Sequence, residues 1–187
     1  MEKPRNYFKD TYHHLYNRGT SKDLIYFENG DYKYFLKQLD KYKIKYQICI
    51  LTFCLMPNHF HLFVKQTNDV LTVGKFVGDL LNSYTKFFNT KYTKSGVLFQ
   101  GPTKSKMIEN KDYFSWLIKY ILYNPVRAGL VKAPEEWRYS SAKELLEKKE
   151  VNITNYTDVI SMFQNESVFR EFLIDTKTKF NYEYFHF

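Results

Sequence analysis

Met56-Pro57-Asn58-His59-Phe60-His61-Leu62-Phe63-Val64 sets two histidines one bulky residue apart at the start of an apolar run. Read as a strand, alternation sends His59, His61 and Phe63 to one face and Phe60, Leu62 and Val64 to the other. Two neighbouring imidazoles on an open sheet face suit a divalent metal. Alone, such a pair is more often solvated or hydrogen-bonded, so partners elsewhere in the chain decide. Asn124 offers a carboxamide oxygen, an acceptable hard ligand for Mg²⁺ or Mn²⁺. Tyr120 stands four residues before it, and on a helix those two positions share a face. A phenol is a weak nucleophile at its unperturbed pKa of about 10, but a nearby cation lowers that value and polarises a phosphate under attack. Spacing alone leaves a second reading open, with Tyr120 one core aromatic among 17 tyrosines.

These residues need a fold to bring them together. At 187 residues the chain fits one domain of ordinary size with an appended tail. No stretch approaches the roughly 20 apolar residues of a membrane span, and charged Glu2, Lys3 and Arg5 open the chain without a secretory signal. A cytoplasmic protein is expected. Cys49 and Cys54 lie five apart in one apolar run, on opposite faces of a regular strand, and read as buried thiols in a reducing compartment. The net charge of +8 is made of +10 over the first 144 residues and −2 over the remainder. A basic body with 17 Tyr and 17 Phe has the cations and rings that a single-strand nucleic-acid binder needs, although many of those rings must be core.

The periodicities give an order of elements. Tyr12 to Asn17 alternates as a first strand closed by Arg18-Gly19-Thr20-Ser21, and a helix starts near Asn29-Gly30-Asp31 and runs to about Tyr42. Lys45 to Leu55 is a second strand, and the Met56-Pro57-Asn58 turn leads into the histidine strand. Val70 to about Tyr92 is the longest helix, with Val73, Phe76, Val77, Leu80, Leu81, Tyr84, Phe87 and Phe88 as its buried stripe. Val97 to Gln100 and Lys104 to Glu109 form a strand interrupted at Gly101-Pro102, hence an edge strand. A helix follows from Lys111 to Tyr123, which Asn124-Pro125 ends or kinks. Lys143 to Glu150 reads as a solvated helix end or linker. Asp158 to Phe163 and Glu166 to Ile174 read as short amphipathic helices before an aromatic terminus, Phe180 to Phe187. The expected fold is α+β, a ferredoxin-like (RRM-like) antiparallel sheet with helices on one face and the histidines on the other. Residues 1–145 form the main domain and 146–187 a helical C-terminal tail.

The sequence resembles the single-strand tyrosine transposases. His59-Phe60-His61 matches their HUH motif (two histidines around a hydrophobic residue). Tyr120-Ile121-Leu122-Tyr123-Asn124-Pro125-Val126-Arg127-Ala128-Gly129-Leu130-Val131 looks like the second block of their REP-associated branch. Ser95 to Gly101, Lys104-Ser105-Lys106 and Asn17-Arg18-Gly19 are similar too, so the resemblance spans about residues 10 to 142. It implies an enzyme that cleaves and rejoins one strand of single-stranded, hairpin-bearing DNA. Tyr120 would form a 5′-phosphotyrosine and release a 3′-hydroxyl. His59, His61 and Asn124 would hold Mg²⁺ or Mn²⁺, Asn124 standing where insertion-sequence relatives usually carry glutamine. Pro102-Thr103 replaces an arginine and an aromatic common in relatives, which removes one expected DNA contact.

Arg18, Lys86, Lys104, Lys106 and Arg127 are the motif-adjacent cations expected to meet DNA. For each, a solvated surface is the competing reading, and Arg127 could instead pair with a tail carboxylate. Two other functions remain to be separated from strand transfer. One is a non-catalytic module binding structured single-stranded DNA or RNA, which would need none of His59, His61, Tyr120 and Asn124. The other is a metal hydrolase that activates water, for which no local carboxylate base accompanies the histidines. The sequence leaves monomer and homodimer open.

Overall fold

The computed structural model describes residues 7–110, 112–147 and 153–175. The expected aromatic terminus, Phe180 to Phe187, lies outside the described residues, as do residues 148–150 of the expected Lys143–Glu150 stretch. Four strands, β1 (Tyr12–Arg18), β2 (Ile48–Met56), β3 (His59–Gln66) and β4 (Lys104–Ile108), form one antiparallel sheet in the order β2-β3-β1-β4. Helices α1 (Asn29–Tyr46) and α2 (Val73–Lys91) provide the two crossovers of the ferredoxin-like arrangement. No described helix is long and apolar enough to cross a membrane.

Side-chain alternation sorts the sheet into two cores. Leu15, Phe53, Leu55, Phe60, Leu62 and Val64 pack with Phe35, Leu39, Phe76, Leu80 and Tyr84 of α1 and α2. Phe63 points the other way, into a second core with Leu51, Cys54 and Met56. That opposite face is only partly open. Helix α3 (Asp112–Arg127) lies on it with Phe114, Leu117, Ile118 and Ile121, and the tail helices α4 (Ala142–Glu147), α5 (Tyr156–Ile160) and α6 (Glu166–Ile174) close over α3 with Leu145, Val159, Phe169 and Leu173. Lys143–Glu147 is therefore packed helix rather than linker, Leu145 being fully buried. The half of this face carrying Tyr16, Arg18 and Lys104 stays partly or fully exposed.

One local irregularity overturns an expectation. An extra residue, Leu51, bulges between Ile50 and Thr52, so β2 changes parity midway. Cys49 thus pairs with Lys65 and Cys54 with His61, both on the face of the histidines, where a regular strand would have separated them. Both are free thiols. The outer edge of β2 is not left bare: Thr154 bridges Ile50, and Ser140 bridges Cys54. Val97–Gln100 forms no strand, and Phe99 makes a single bridge to Gly19 before β4 begins.

Helix α3 runs one turn past the expected stop. Pro125 lies inside it, and the helix closes at Gly129, φ +70°, with Leu130 N donating to Pro125 O at 2.9 Å and Gly129 N to Val126 O at 3.0 Å. That is a Schellman end, and proline near it forfeits a single hydrogen bond where the ladder is finishing anyway. The extra turn places Arg127 seven residues beyond Tyr120, on the same face as Tyr120 and Asn124. The adjacent face holds the tail. Lys119, almost fully buried, donates through Nζ to the carbonyls of Phe172 and Asp175, each at 2.5 Å, and Tyr123 Oη donates to Leu173 O at 2.6 Å. A cation at these last carbonyls of α6 also meets the negative end of that helix.

A buried carboxylate ties α1 to α2. Asp31 accepts from the Phe27 and Glu28 amides, from Tyr92 Oη at 2.7 Å and from Lys91 Nζ at 2.6 Å. Burial pushes its carboxyl up, but these hydrogen bonds more than offset that and hold it below its ordinary value. Asp31→Ala is expected to cost about 3 kcal/mol in chemical denaturation near neutral pH, since it strands a partly buried ammonium and two amides. The folded carboxyl titrates below the unfolded one, so its stabilisation is present above about pH 4 and is lost as pH falls further. The stability gap between wild type and Asp31→Ala should accordingly narrow below about pH 4, and a gap constant down to about pH 3 would contradict this assignment.

Candidate active site

Strand pairing fixes who faces whom. Arg18 lies opposite His59, Tyr16 opposite His61, and on the other side of β1, Lys106 opposite His14 and Lys104 opposite Tyr16. His14, Tyr16, Arg18, His59, His61, Lys104 and Lys106 therefore share one face, the one on which α3 lies. The His59 and His61 rings stand 5.2 Å apart at 89°. The ring of Tyr120 meets that of His61 edge-on at 5.5 Å, and Arg127 sets its guanidinium 5.2 Å from the centre of the phenol ring. Arg127 is itself exposed, while Tyr120 is only 3% exposed. The guanidinium thus stands between the phenol and solvent.

Asn124 joins the two halves. Its Nδ2 donates to Tyr120 O at 2.8 Å, which pins the side chain to its own helix. Its carboxamide also acts on both neighbours, favouring the charged form of the His59 imidazole and of the Tyr120 phenol. His59 is held from behind as well, Nδ1 lying 2.7 Å from Asn58 Oδ1, whose own amide nitrogen donates to Lys22 O. Burial lowers His59 to about 4, with Asn124 opposing and Arg18 adding to the shift, and burial drives His61 well below its ordinary value. Both imidazoles are therefore neutral at pH 7, the form that donates a lone pair to a metal. Burial raises the Tyr120 phenol, although Arg127 and Asn124 pull it back. In this environment the phenol needs further positive charge before it becomes a nucleophile.

The donor set bears on metal binding directly. Among the described residues no group of three His, Cys, Asp or Glu side chains is arranged to hold a metal ion by itself. A cation here would draw on the two imidazoles and on a neutral oxygen. Asn124, one turn beyond Tyr120 on α3, is the carboxamide that acts on His59, and two neutral imidazoles with a carboxamide oxygen make an acceptable, low-charge set for a hard divalent ion bound together with phosphate. The residues present fit the group.

Of the expected DNA contacts, Arg18, Lys104, Lys106 and Arg127 lie on the face of the histidines or over Tyr120. Arg18 donates to Gln100 Oε1 at 2.6 Å, and Lys106 rests 5.5 Å from the Tyr113 ring. Lys86 is exposed on α2, behind the sheet, and is not brought to this cluster. Two residues of the cluster escaped the sequence reading. His14, 5% exposed, places Nε2 at 2.9 Å from His61 Nδ1, and the Tyr16 ring lies 6.1 Å from that of His61. Their signal was present as parity, since both alternate with Arg18 along the first strand, but only cross-strand register puts them beside His61.

Comparisons with known proteins bear on the family and the fold. A Haemophilus influenzae protein, assigned by prediction as a REP-associated tyrosine transposase, is 25% identical over 148 residues, covering 67% of this chain and 84% of its own. The solved structure of a REP-associated tyrosine transposase bound to a REP hairpin superposes with a TM-score of 0.65 at 18% identity, over 84% of this chain and 95% of that one, a likeness of fold. The family model described as "Transposase IS200 like" matches residues 7–124, a span running from before β1 through Asn124 and so containing His59, His61 and Tyr120. By that match, over more than half of its length, the chain belongs to the IS200-like transposase family.

Proposed function

We propose that the protein cleaves and rejoins single-stranded DNA, with Tyr120 as the nucleophile. The observation that carries this reading is the Tyr120 ring, which meets His61 edge-on at 5.5 Å with the Arg127 guanidinium 5.2 Å from its centre, so that histidine pair, phenol and cation share one place. Tyr120 Oη attacks the scissile phosphorus, losing its proton as the P–O bond to the tyrosine forms and the bond to the 3′ oxygen breaks. The products are a 5′-phosphotyrosine and a free 3′-hydroxyl. Because the phosphodiester character is kept, the same hydroxyl, or one from another strand, can reverse the step without an external energy source.

Each neighbour has a part in that step. His59, His61 and Asn124 would hold Mg²⁺ or Mn²⁺, which when bound supplies positive charge to the scissile phosphate. Arg127, standing over the phenol, meets the phosphate as it arrives and stabilises the charge that develops on it. Burial of Tyr120 keeps bulk water away from the phosphotyrosine, which favours rejoining over hydrolysis. The substrate class, hairpin-bearing single-stranded DNA, is supported by the hairpin in the structurally similar relative and by the cations lining the open half of the face.

The test is to incubate the protein with a hairpin-bearing single strand and Mg²⁺ or Mn²⁺. A nicked strand with protein attached to its new 5′ end is expected. Nicking that leaves a free 5′-phosphate, or binding with no nick under any metal, would reject the proposal. Arg18 and Lys104 are the phosphate contacts nearest the cluster, so replacing either with glutamine should weaken binding and reduce the slope of log K against log salt by about 1. An unchanged slope would remove that contact. Lys86→Gln asks the same of a strand that wraps behind the sheet, where α2 exposes that lysine.

A further inference from the structure

We propose that His14 is a positioning residue that fixes the tautomer of His61, and through it the nitrogen offered to the metal. This rests on the reading of His61 as a metal ligand. The two imidazoles approach through His14 Nε2 and His61 Nδ1 at 2.9 Å, with rings 22° from parallel and centroids 5.2 Å apart. His14 is 5% exposed and His61 fully buried, so water is a poor substitute for either partner.

A hydrogen bond between two neutral imidazole nitrogens contains one proton. If it sits on His14 Nε2, His61 accepts through Nδ1 and must carry its own proton on Nε2, leaving no lone pair for a metal. If it sits on His61 Nδ1, His14 Nε2 accepts and His61 Nε2 presents its lone pair. Only the second arrangement lets His61 act as a ligand, because Nδ1 is already committed to His14. A histidine that binds a metal commonly donates its other N–H to a carboxylate, a carbonyl or water, and this fixes both tautomer and ring orientation. Here an imidazole from the neighbouring strand fills that place.

The register explains why a histidine serves. His61 lies directly opposite Tyr16, and His14 sits two residues along β1 on the same face, opposite Phe63. From that diagonal position a planar ring with a nitrogen at its tip reaches His61 Nδ1 and stays nearly parallel to the ring it holds. A carboxylate there would bring a buried charge beside the ligands, whereas an imidazole accepts the hydrogen bond while remaining neutral.

Isothermal titration of the full chain with MnCl₂ tests the proposal without relying on DNA cleavage. His14→Phe keeps the volume and removes the acceptor, so its Mn²⁺ dissociation constant should rise by about 10- to 100-fold. His14→Gln, whose Oε1 can accept from His61 Nδ1, should recover part of that loss. Long-range ¹H–¹⁵N spectra of the wild-type protein provide a readout that needs no variant to fold: His61 should be protonated at Nδ1 and not at Nε2. A His14→Phe protein that binds Mn²⁺ as wild type does overturns the proposal while leaving the metal site standing, whereas a His61 protonated at Nε2 with the metal bound overturns it together with the reading of His61 as a ligand. Wild-type protein that binds no Mn²⁺ overturns both this inference and the metal reading beneath it.

Discussion

Tyr120→Phe is expected to abolish the covalent protein–DNA adduct and to lower the cleavage rate by at least about 10⁴-fold, the scale on which removal of a nucleophile acts in enzymes with covalent intermediates. Hairpin binding should stay close to wild type. The ring that lies 5.5 Å from His61 and 5.2 Å beneath the Arg127 guanidinium is kept, so neither the packing of α3 nor the placement of the cation changes. What is lost is one buried hydroxyl and its polar interactions beside Arg127 and Asn124, a loss of about 1 kcal/mol in folding. A gel of single-turnover reactions, run beside a binding titration, separates the two effects. Tyr120→Phe protein that still becomes attached to DNA would move the chemistry to another residue, and Tyr16, whose ring is 6.1 Å from that of His61, is the first to examine.

Withdrawing the metal is the second large effect. Chelation of divalent ions, or His59→Ala, is expected to reduce cleavage by about 10³-fold, since a bound cation contributes several kcal/mol to charge stabilisation at a phosphoryl group. The size follows from the state of the phenol. Burial holds Tyr120 above its ordinary value even with Arg127 and Asn124 beside it, so at pH 7 the remaining groups leave it protonated. His59 is a better variant than His61 for this purpose. It is half-buried at the start of β3, whereas His61 is fully enclosed and its removal would open a cavity between sheet and α3. Binding of the hairpin should survive both treatments, because Arg18, Lys104 and Arg127 are untouched. Returning Mg²⁺ or Mn²⁺ to the chelated wild type should restore the rate. Cleavage that proceeds equally well in chelator would contradict a metal role for His59, His61 and Asn124.

Much of this site could be read from local spacing. The alternation of His59-Phe60-His61 fixed which side chains share a face, and β3 places Phe60 and His61 in different environments as expected. The four-residue step from Tyr120 to Asn124 likewise needed only a helix. The order of strands and helices was legible because each element carries its own period, and the 4-1-3-2 sheet is the one that this order forms in a ferredoxin-like arrangement. What escaped depended on register or on the ends of elements. Arg127 joins Tyr120 only because α3 continues through Pro125 to a Schellman end, and a proline by itself argues for an earlier stop. His14 is one of two adjacent histidines in an aromatic strand until pairing with β3 brings it to His61. Cys49 and Cys54 share a face because of a one-residue bulge that no local pattern announces.

The second layer shows the same limit. Nothing in the apolar stripe of α3 says that a tail will cover its outer side, yet Lys119 and Tyr123, flanking Tyr120 in sequence, hold the last carbonyls of α6. The helix that presents the phenol is thus pressed to the sheet by Leu117, Ile118 and Ile121 and clamped from behind by the tail. Such support holds the phenol against the histidines, and it explains why a lysine is tolerated at a buried position one residue away.

The central claim is that Tyr120 becomes covalently joined to the 5′ end of a cleaved strand. The most direct measurement is to trap the adduct formed with hairpin-bearing single-stranded DNA and Mg²⁺ or Mn²⁺, digest protein and DNA, and locate the modified residue by mass spectrometry. A nucleotide linked through its 5′-phosphate to Tyr120 is the predicted result. Modification of a different tyrosine, or cleaved DNA carrying a 5′-phosphate with no peptide attached, would contradict it.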